Sequence, residues 1–245
     1  MNSNAQLLCL WSGPAMLFFF WFGFMFLAGY LPPPEATLSP EALVAMLQAN
    51  LDGFRLGMVV TMFGFALMVP WAIGIATRLH SAEGRYPVLL YTQIGSVAIG
   101  SLIGQAATWI FEAAVYRLDD TPPVIVRALH DLGWFTFLAP WPSFSVWCVA
   151  LGLAIFLDRR VQPDYPRWAG YLCLWTALLF VPACLIFWFK KGPFSWSGVV
   201  AFYVPVAIFF VWVTGLTIPA LRAVYRERAE GAQRAPAEPG FTSLR

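Results

Sequence analysis

Long apolar runs recur along the whole chain and are separated by short polar segments. About twenty apolar residues are what an α-helix needs to cross a hydrocarbon layer about 30 Å thick. We therefore predict an all-α fold, a polytopic membrane helix bundle with about six transmembrane helices. The predicted spans are residues 8–30, 56–78, 87–113, 134–157, 169–189 and 199–221.

The composition agrees with this pattern and disfavours a soluble fold. Of the 245 residues, 60% are hydrophobic and only 11% are charged, whereas soluble domains average about 25% charged residues. Residues 1–228 are predicted to form one bundle domain, and the polar, Pro/Gly-rich residues 229–245 a disordered cytoplasmic tail. A net charge of +2 without a basic stripe argues against nucleic acid as a partner.

The basic residues predict the orientation of the bundle, because cytoplasmic loops are enriched in Lys and Arg. With six spans, one side receives ten of the fifteen Lys and Arg residues and the other side five. We therefore expect a multi-pass protein of the bacterial cytoplasmic (inner) membrane, with both termini cytoplasmic. The five basic residues on the outer side are Arg55, Arg117, Arg127, Lys190 and Lys191.

Two polar-flanked segments outside the predicted spans have the pattern of short helices. Ser39 suits the N-cap of a helix that begins with Pro40, and Leu43 and Leu47 share one face of it. This amphipathic helix in the first outer loop is predicted to lie on the membrane surface or to cap the bundle. A second such segment, "PPVIVRALHDLGW", precedes the predicted fourth span.

The third span carries a stripe of small and polar residues at intervals of three or four, which places them on one helix face. Small residues allow helices to approach closely, whereas glutamines and a threonine can line a polar cavity. Both interpretations stay open at this point. The stripe consists of Gln93, Ser96, Gly100, Gly104, Thr108 and Glu112, and it is broadened by Ser101 and Gln105.

Glu112 is the only carboxylate in this span. It follows Arg85 by about 27 residues of helix or turn, so helix rise places it near the outer membrane boundary, not at the midplane. The second and third spans are antiparallel, and Arg55 and Glu112 lie at similar distances from the turn between them. We therefore predict a Glu112–Arg55 pair at the outer end of this hairpin.

Charged and aromatic residues at that level include the candidate site residues. His130 can titrate near neutral pH, so Glu112, His130 and Asp131 are weak candidates for acid–base catalysis. An interfacial rim of charges and tryptophans is also an ordinary feature of membrane proteins. The candidate ligand-binding residues are Gln93, Gln105, Thr108, Glu112, Arg55 and Trp134.

The sequence indicates neither a metal site nor a cofactor. Its four cysteines, Cys9, Cys148, Cys173 and Cys184, lie in apolar runs without CxxC spacing, and its two histidines fall on opposite sides of the membrane. Nucleotide-binding and hydrolase motifs are missing as well. We therefore expect no metal and no cofactor, and no known catalytic motif decides whether the protein is an enzyme.

The segment "YPRWAGYLCLWTALLFVPACLIFWFKKGPFSWSG", residues 165–198, resembles a motif of an uncharacterised family of bacterial multi-span integral membrane proteins. The resemblance covers about the last third of the chain. It implies a bacterial origin and carries no function over.

Three functional hypotheses remain. The protein could bind or transport a lipid-like or small apolar molecule in an outward-opening cavity. It could be an accessory or scaffold subunit, with a membrane-protein partner or a second copy of itself beside the membrane lipids. It could also be an intramembrane isomerase or cyclase that uses Glu112 with His130 or Asp131 as acid and base.

Overall fold

The structure, a computed structural model, describes residues 3–80 and 84–234. These residues form helices and irregular segments, without a strand. Eight α-helices follow one another in the described part: α1 Ser3–Phe20, α2 Pro40–Ala49, α3 Leu51–Thr77, α4 Val88–Val115, α5 Pro123–Leu138, α6 Trp141–Leu157, α7 Arg167–Phe180 and α8 Val204–Arg234.

Six helical stretches of the described chain are long and apolar enough to cross a membrane, which confirms the predicted fold class. They are Ser3–Leu27, Leu51–Thr77, Val88–Val115, Pro123–Leu157, Arg167–Phe187 and Val199–Gly231. Between about a third and a half of each stretch is buried inside the bundle. The rest is exposed and apolar, as expected for helices whose outer surfaces contact lipid.

The fourth span differs from its prediction. The segment "PPVIVRALHDLGW" is no separate surface helix, because it forms most of α5, whose apolar face is buried against α4. Gly133 of α5 lies against Phe111 of α4, and Gly100 lies against Phe144 of α6. The two helices α5 and α6 therefore continue each other along α4 and bend at Pro140, where a backbone donor is missing.

Helix α2 forms where the sequence predicts it and covers one end of the bundle. The Ser39 hydroxyl accepts a hydrogen bond from the Ala42 amide at 3.2 Å, which is the expected N-cap contact. Leu43 and Leu47 are buried in the same cluster as Tyr30 and Val126. Of the two predicted placements, on the membrane surface or over the end of the bundle, the structure therefore shows the second.

Three of the six spans leave ideal α-helical geometry near their middle or at one end. The first ends in a π-helical segment, Trp21–Leu27, the fifth continues as a 3₁₀ helix, Val181–Phe187, and the sixth begins with a π-helical segment, Val199–Tyr203. Such segments shift the direction of side chains relative to a regular helix. They also lie beside the cavity described below, which Phe20 and Ala183 line.

The two ends of the bundle, the terminal face and the distal face, differ in what they contain. At the terminal face the N-terminal and C-terminal helices meet, since Arg228 donates a hydrogen bond to the Asn4 side chain. At the distal face α2 covers the loops on the opposite side. Helix α8 continues through Arg234, so residues 229–234 of the predicted disordered tail are helical, and residues 235–245 lie outside the described residues.

Candidate functional site

A buried arginine organises the terminal face. The Arg78 guanidinium, at the end of α3, lies 3.0 Å from the Asp164 carboxylate and 2.6 Å from the Glu227 carboxylate. It also donates to the Gln6 side-chain oxygen at 3.2 Å. The side chains of Arg78 and Asp164 are both only 3% exposed. Residues from α1, α3, α8 and the α6–α7 loop are therefore joined through one cation.

Two further arginines complete what we call the arginine network: Arg78, Asp158, Arg160, Asp164, Arg226 and Glu227. Arg160 lies 3.2 Å from Asp164 and 2.6 Å from Asp158, and Arg226 lies 3.6 Å from Asp164. The hydrogen bond from Arg160 to Asp158 holds the pKa of the Asp158 carboxyl below the ordinary value of 3.8. The buried Asp164 carboxylate is thus surrounded by three guanidinium groups, which offset the cost of burying it.

A tryptophan triad lies deeper in the bundle than this network. Trp71, Trp147 and Trp212 are at most 1% exposed, and their ring centroids are 4.9 to 5.8 Å apart. Trp71 donates to the Thr217 hydroxyl at 2.8 Å, so its indole N–H is not left unpaired in the apolar core. The triad joins α3, α6 and α8 by edge-to-face contacts.

The distal face is closed by a different kind of packing, which we call the distal aromatic cluster. Its centre is Trp134, which is fully buried and stacks on Trp196 at 6.0 Å and on Tyr30 at 5.4 Å. Trp196 donates to the Pro34 carbonyl at 2.9 Å, which ties the loop after the fifth span to the first loop. The cluster consists of Phe24, Tyr30, Phe54, Phe111, His130, Trp134, Trp196 and Phe202.

One hydrogen bond lies inside this aromatic cluster. Tyr30 Oη and His130 Nε2 are 2.7 Å apart, and both residues are at most 2% exposed. Burial raises the pKa of the Tyr30 phenol well above its ordinary value of 10.0. The phenol therefore stays neutral, and the pair is a hydrogen bond between two buried groups, not an ion pair.

Between the distal aromatic cluster and the tryptophan triad lies an apolar cavity of about 100 Å³. Phe137 lines it and stacks on Phe24 of the cluster at 4.9 Å. Phe209 lines it and contacts Trp212 of the triad. The lining residues are Met16, Phe20, Gly64, Phe65, Gly104, Phe137, Leu138, Pro140, Trp141, Phe144, Phe180, Ala183, Pro205, Val206 and Phe209.

This central cavity has the character of a binding site for hydrocarbon and not for water. An ordered water needs two to four polar partners, and apolar cavities stay dry. No lining side chain is charged, and the indole of Trp141 is the one polar group among them. The volume of the central cavity is of the same order as that of the engineered cavity of about 150 Å³ that accepts benzene.

The stripe on α4 faces the bundle interior, and its glycines serve packing. A Cβ on Gly104 would lie 2.5 Å from the Phe65 ring, and one on Gly100 would lie 3.1 Å from Phe144. Gln105 donates to Ser101 on its own helix, and Ser101 donates to the Phe65 carbonyl at 2.8 Å. Gln93 differs, because it is buried and neither polar atom of its amide has a hydrogen-bond partner among the described residues.

The candidate ligand-binding residues are not gathered around the central cavity. Gln93, Gln105, Thr108 and Glu112 lie along α4, Arg55 near the distal end of α3, and Trp134 in the distal aromatic cluster. None of the six lines the cavity, although Gly104 of the same stripe does.

Glu112 and Arg55 form no direct ion pair, although Arg55 is the charged group that acts on Glu112. Arg55 donates instead to the Val115 carbonyl at 3.1 Å, one helical turn beyond Glu112. Val115 lies in the last turn of α4, where carbonyl groups lack intrahelical partners, so a guanidinium is a suitable donor. One carboxylate oxygen of Glu112 is buried without a hydrogen bond among the described residues.

The three catalytic candidates are also kept apart. His130 faces Tyr30 and Trp134, whereas the charged groups that act on Asp131 are Arg127 and Lys190. None of Glu112, His130 and Asp131 lines the central cavity. Within residues 3–80 and 84–234, no group of three or more His, Cys, Asp or Glu side chains is placed to hold a metal ion.

Sequence reasoning missed the arginine network and the cavity. A partial signal for the network was present, since Arg78, Arg160 and Asp164 all border predicted spans on the same side. Their pairing across 82 and 86 residues is set only by the helix arrangement. For the cavity the sequence carried no signal, because its lining residues are ordinary apolar residues of all six spans.

No protein-family model matches the chain, and no solved structure matches it. The resemblance of residues 165–198 to a bacterial membrane-protein family therefore stays a prediction. The class of protein follows from the six spans: this is a polytopic integral membrane protein with an all-α bundle.

Proposed function

We propose that the protein binds the hydrocarbon part of a lipid-like molecule in its central cavity. The observation that carries this proposal is an uncharged lining to which all six spans contribute, next to segments whose helix geometry is irregular. An unfilled apolar cavity of this kind costs packing energy, whereas a bound chain would recover dispersion contacts with the lining. Membrane lipids supply such chains at high local concentration.

Two features support a role beyond simple packing. Pro140 and Pro205 both line the cavity, and each lacks the backbone donor that a regular helix would use. The adjoining 3₁₀ segment Val181–Phe187 contributes Ala183, a small residue that leaves space. Such irregular segments change the direction of lining side chains relative to a regular helix, which supports a cavity at this position.

The test fills the cavity and asks whether a bound molecule is lost. Native mass spectrometry of gently extracted protein is expected to show a small apolar adduct, which Val206→Phe should reduce about tenfold because Val206 lines the cavity. Val211→Phe is the matched control, since Val211 lies on the same helix and is 55% exposed. Equal adduct in both variants, or a bound polypeptide with no small molecule, would overturn the proposal.

We further propose that the membrane is the bacterial cytoplasmic membrane and that both termini are cytoplasmic. The unequal division of Lys and Arg, ten on the terminal side against five, supports this orientation. Alkaline phosphatase and green fluorescent protein fused to the C-terminus test it. A fluorescent, phosphatase-inactive pair is expected, and an active phosphatase fusion would reverse the orientation.

A further inference from the structure

A second cavity, of about 310 Å³, lies at the terminal face between the start of α7 and the second half of α8. Its lining is unlike that of the central cavity, because it includes two arginines, Arg222 and Arg226, one turn apart on α8. Trp168 and Ile218 lie on its membrane side. We refer to this site as the Arg222–Arg226 pocket.

The electrostatic balance of the pocket favours an anion. Asp164 lines it, but Arg78 and Arg160 lie 3.0 and 3.2 Å from that carboxylate and Arg226 lies farther away, at 3.6 Å. The side chain of Arg226 is 43% exposed, so part of its guanidinium is accessible. Arg222 makes no ion pair with any residue that the structure describes and is exposed. One arginine is thus unpaired and another is only partly used.

The apolar part of the pocket points to a membrane molecule as the source of that anion. Trp168 is 53% exposed and Ile218 is 45% exposed, and both belong to spans whose outer surfaces face hydrocarbon. A Cβ on Gly215 would lie 3.5 Å from the Trp168 ring, so α7 and α8 approach closely just above the pocket. Moving along α8 from Gly215 to Arg226, the surface changes from apolar to cationic within three turns.

We propose that the Arg222–Arg226 pocket binds the phosphate of an anionic phospholipid, with an acyl chain along Trp168 and Ile218. Arginine is suited to this role because its planar guanidinium donates two parallel hydrogen bonds to a phosphate. Basic pockets between spanning helices at a membrane surface recognise such headgroups. This site is separate from the central cavity, and neither proposal depends on the other.

The experiment measures lipid selectivity in nanodiscs that contain equal amounts of phosphatidylglycerol and phosphatidylcholine with identical chains. Native mass spectrometry gives the ratio of the two lipids that stay bound. The wild-type protein should retain phosphatidylglycerol preferentially, and Arg222→Gln with Arg226→Gln should lower that ratio about thirtyfold. Because Arg226 also contacts Asp164, Arg222→Gln alone is the second variant, and it should lower the ratio about fivefold without disturbing the arginine network.

The matched control removes two other arginines from the terminal side, Arg85→Gln with Arg159→Gln, and should leave the ratio unchanged. An equal loss in the control would mean that general attraction to a positive face explains the selectivity, which would overturn the proposal. An unchanged ratio in both pocket variants would do the same. Displacement of phosphatidylglycerol by millimolar inorganic phosphate would show that the pocket recognises soluble phosphate instead of a lipid.

Discussion

The terminal and distal faces close the same bundle by opposite physical means. At the terminal face, Arg78 and its neighbours use charge, and Asp164 is held by three guanidinium groups. At the distal face, Trp134 is surrounded by rings, and a single neutral hydrogen bond joins Tyr30 and His130. The stability of the first depends on every charge having a partner, whereas that of the second depends mainly on filled volume.

This difference has a consequence for the cavity between the two faces. The tryptophan triad separates the cavity from the arginine network, and the rings of Phe20 and Phe137 lie between the cavity and the Tyr30–His130 pair. A chain bound there would therefore contact apolar groups in both directions. The charged groups that sequence analysis favoured as functional lie outside this apolar region.

The largest effect is expected from removing the central ring of the distal aromatic cluster. Trp134→Ala should lower the free energy of unfolding by about 4 kcal/mol, because it leaves a large void among rigid rings. Thermal unfolding in detergent measures it. Trp188→Ala is the control, since Trp188 is 71% exposed and its loss should cost less than about 1 kcal/mol. Similar costs for the two variants would contradict a volume-based closure.

The second-largest effect is expected from removing the buried charge of Arg78 at the terminal face. Arg78→Met keeps much of the side-chain volume and removes the charge, so Asp164 and Glu227 lose their shared partner. We expect a loss of about 3 kcal/mol in the free energy of unfolding. Arg85→Met is the charge-matched control on the same side. If both changes lowered the unfolding temperature equally, the buried pairing of Arg78 would not stabilise the fold.

A smaller effect separates hydrogen bonding from packing in the distal aromatic cluster. Tyr30→Phe retains the ring and leaves His130 Nε2 without its partner, which should cost about 1–2 kcal/mol. Tyr116→Phe, at a position 74% exposed, should be close to neutral. A cost for Tyr30→Phe as large as that for Trp134→Ala would show that the polar pair, and not the packed rings, closes this face.

The smallest effect is the part of the pH dependence of stability that arises from Asp158 at the terminal face. Because Arg160 lowers the pKa of folded Asp158 below 3.8, this carboxylate stabilises the fold above that pH and loses its contribution as pH falls through the folded pKa. Asp158→Asn should therefore reduce the difference in unfolding temperature between about pH 6 and about pH 3. Asp120→Asn, at an exposed distal position, should keep the wild-type difference.

The sequence by itself determined the class of protein and most of its helices. Apolar runs about twenty residues long form spanning helices, because a helix pairs all backbone N–H and C=O groups within the segment. The Ser39–Pro40 start of α2 follows from local capping chemistry. The α4 stripe was also readable as a buried face, because helical periodicity places its members together. Local patterns of this kind do not depend on which helix is the neighbour.

Only the tertiary structure decided which distant residues meet. Arg55 bonds to the Val115 carbonyl instead of Glu112, because side chains at the same depth can still differ in rotation about their helices. The sequence pattern of residues 122–134 predicts a separate surface helix, but in the structure α5 and α6 continue each other across the bend at Pro140 and form the fourth span. Arg78 meets Asp164 and Glu227, and fifteen ordinary apolar residues enclose the cavity, because the packing of six spans brings them together. Because hydrophobic burial is non-directional, the sequence pattern shows that a helix face is buried but does not show which helix packs against it.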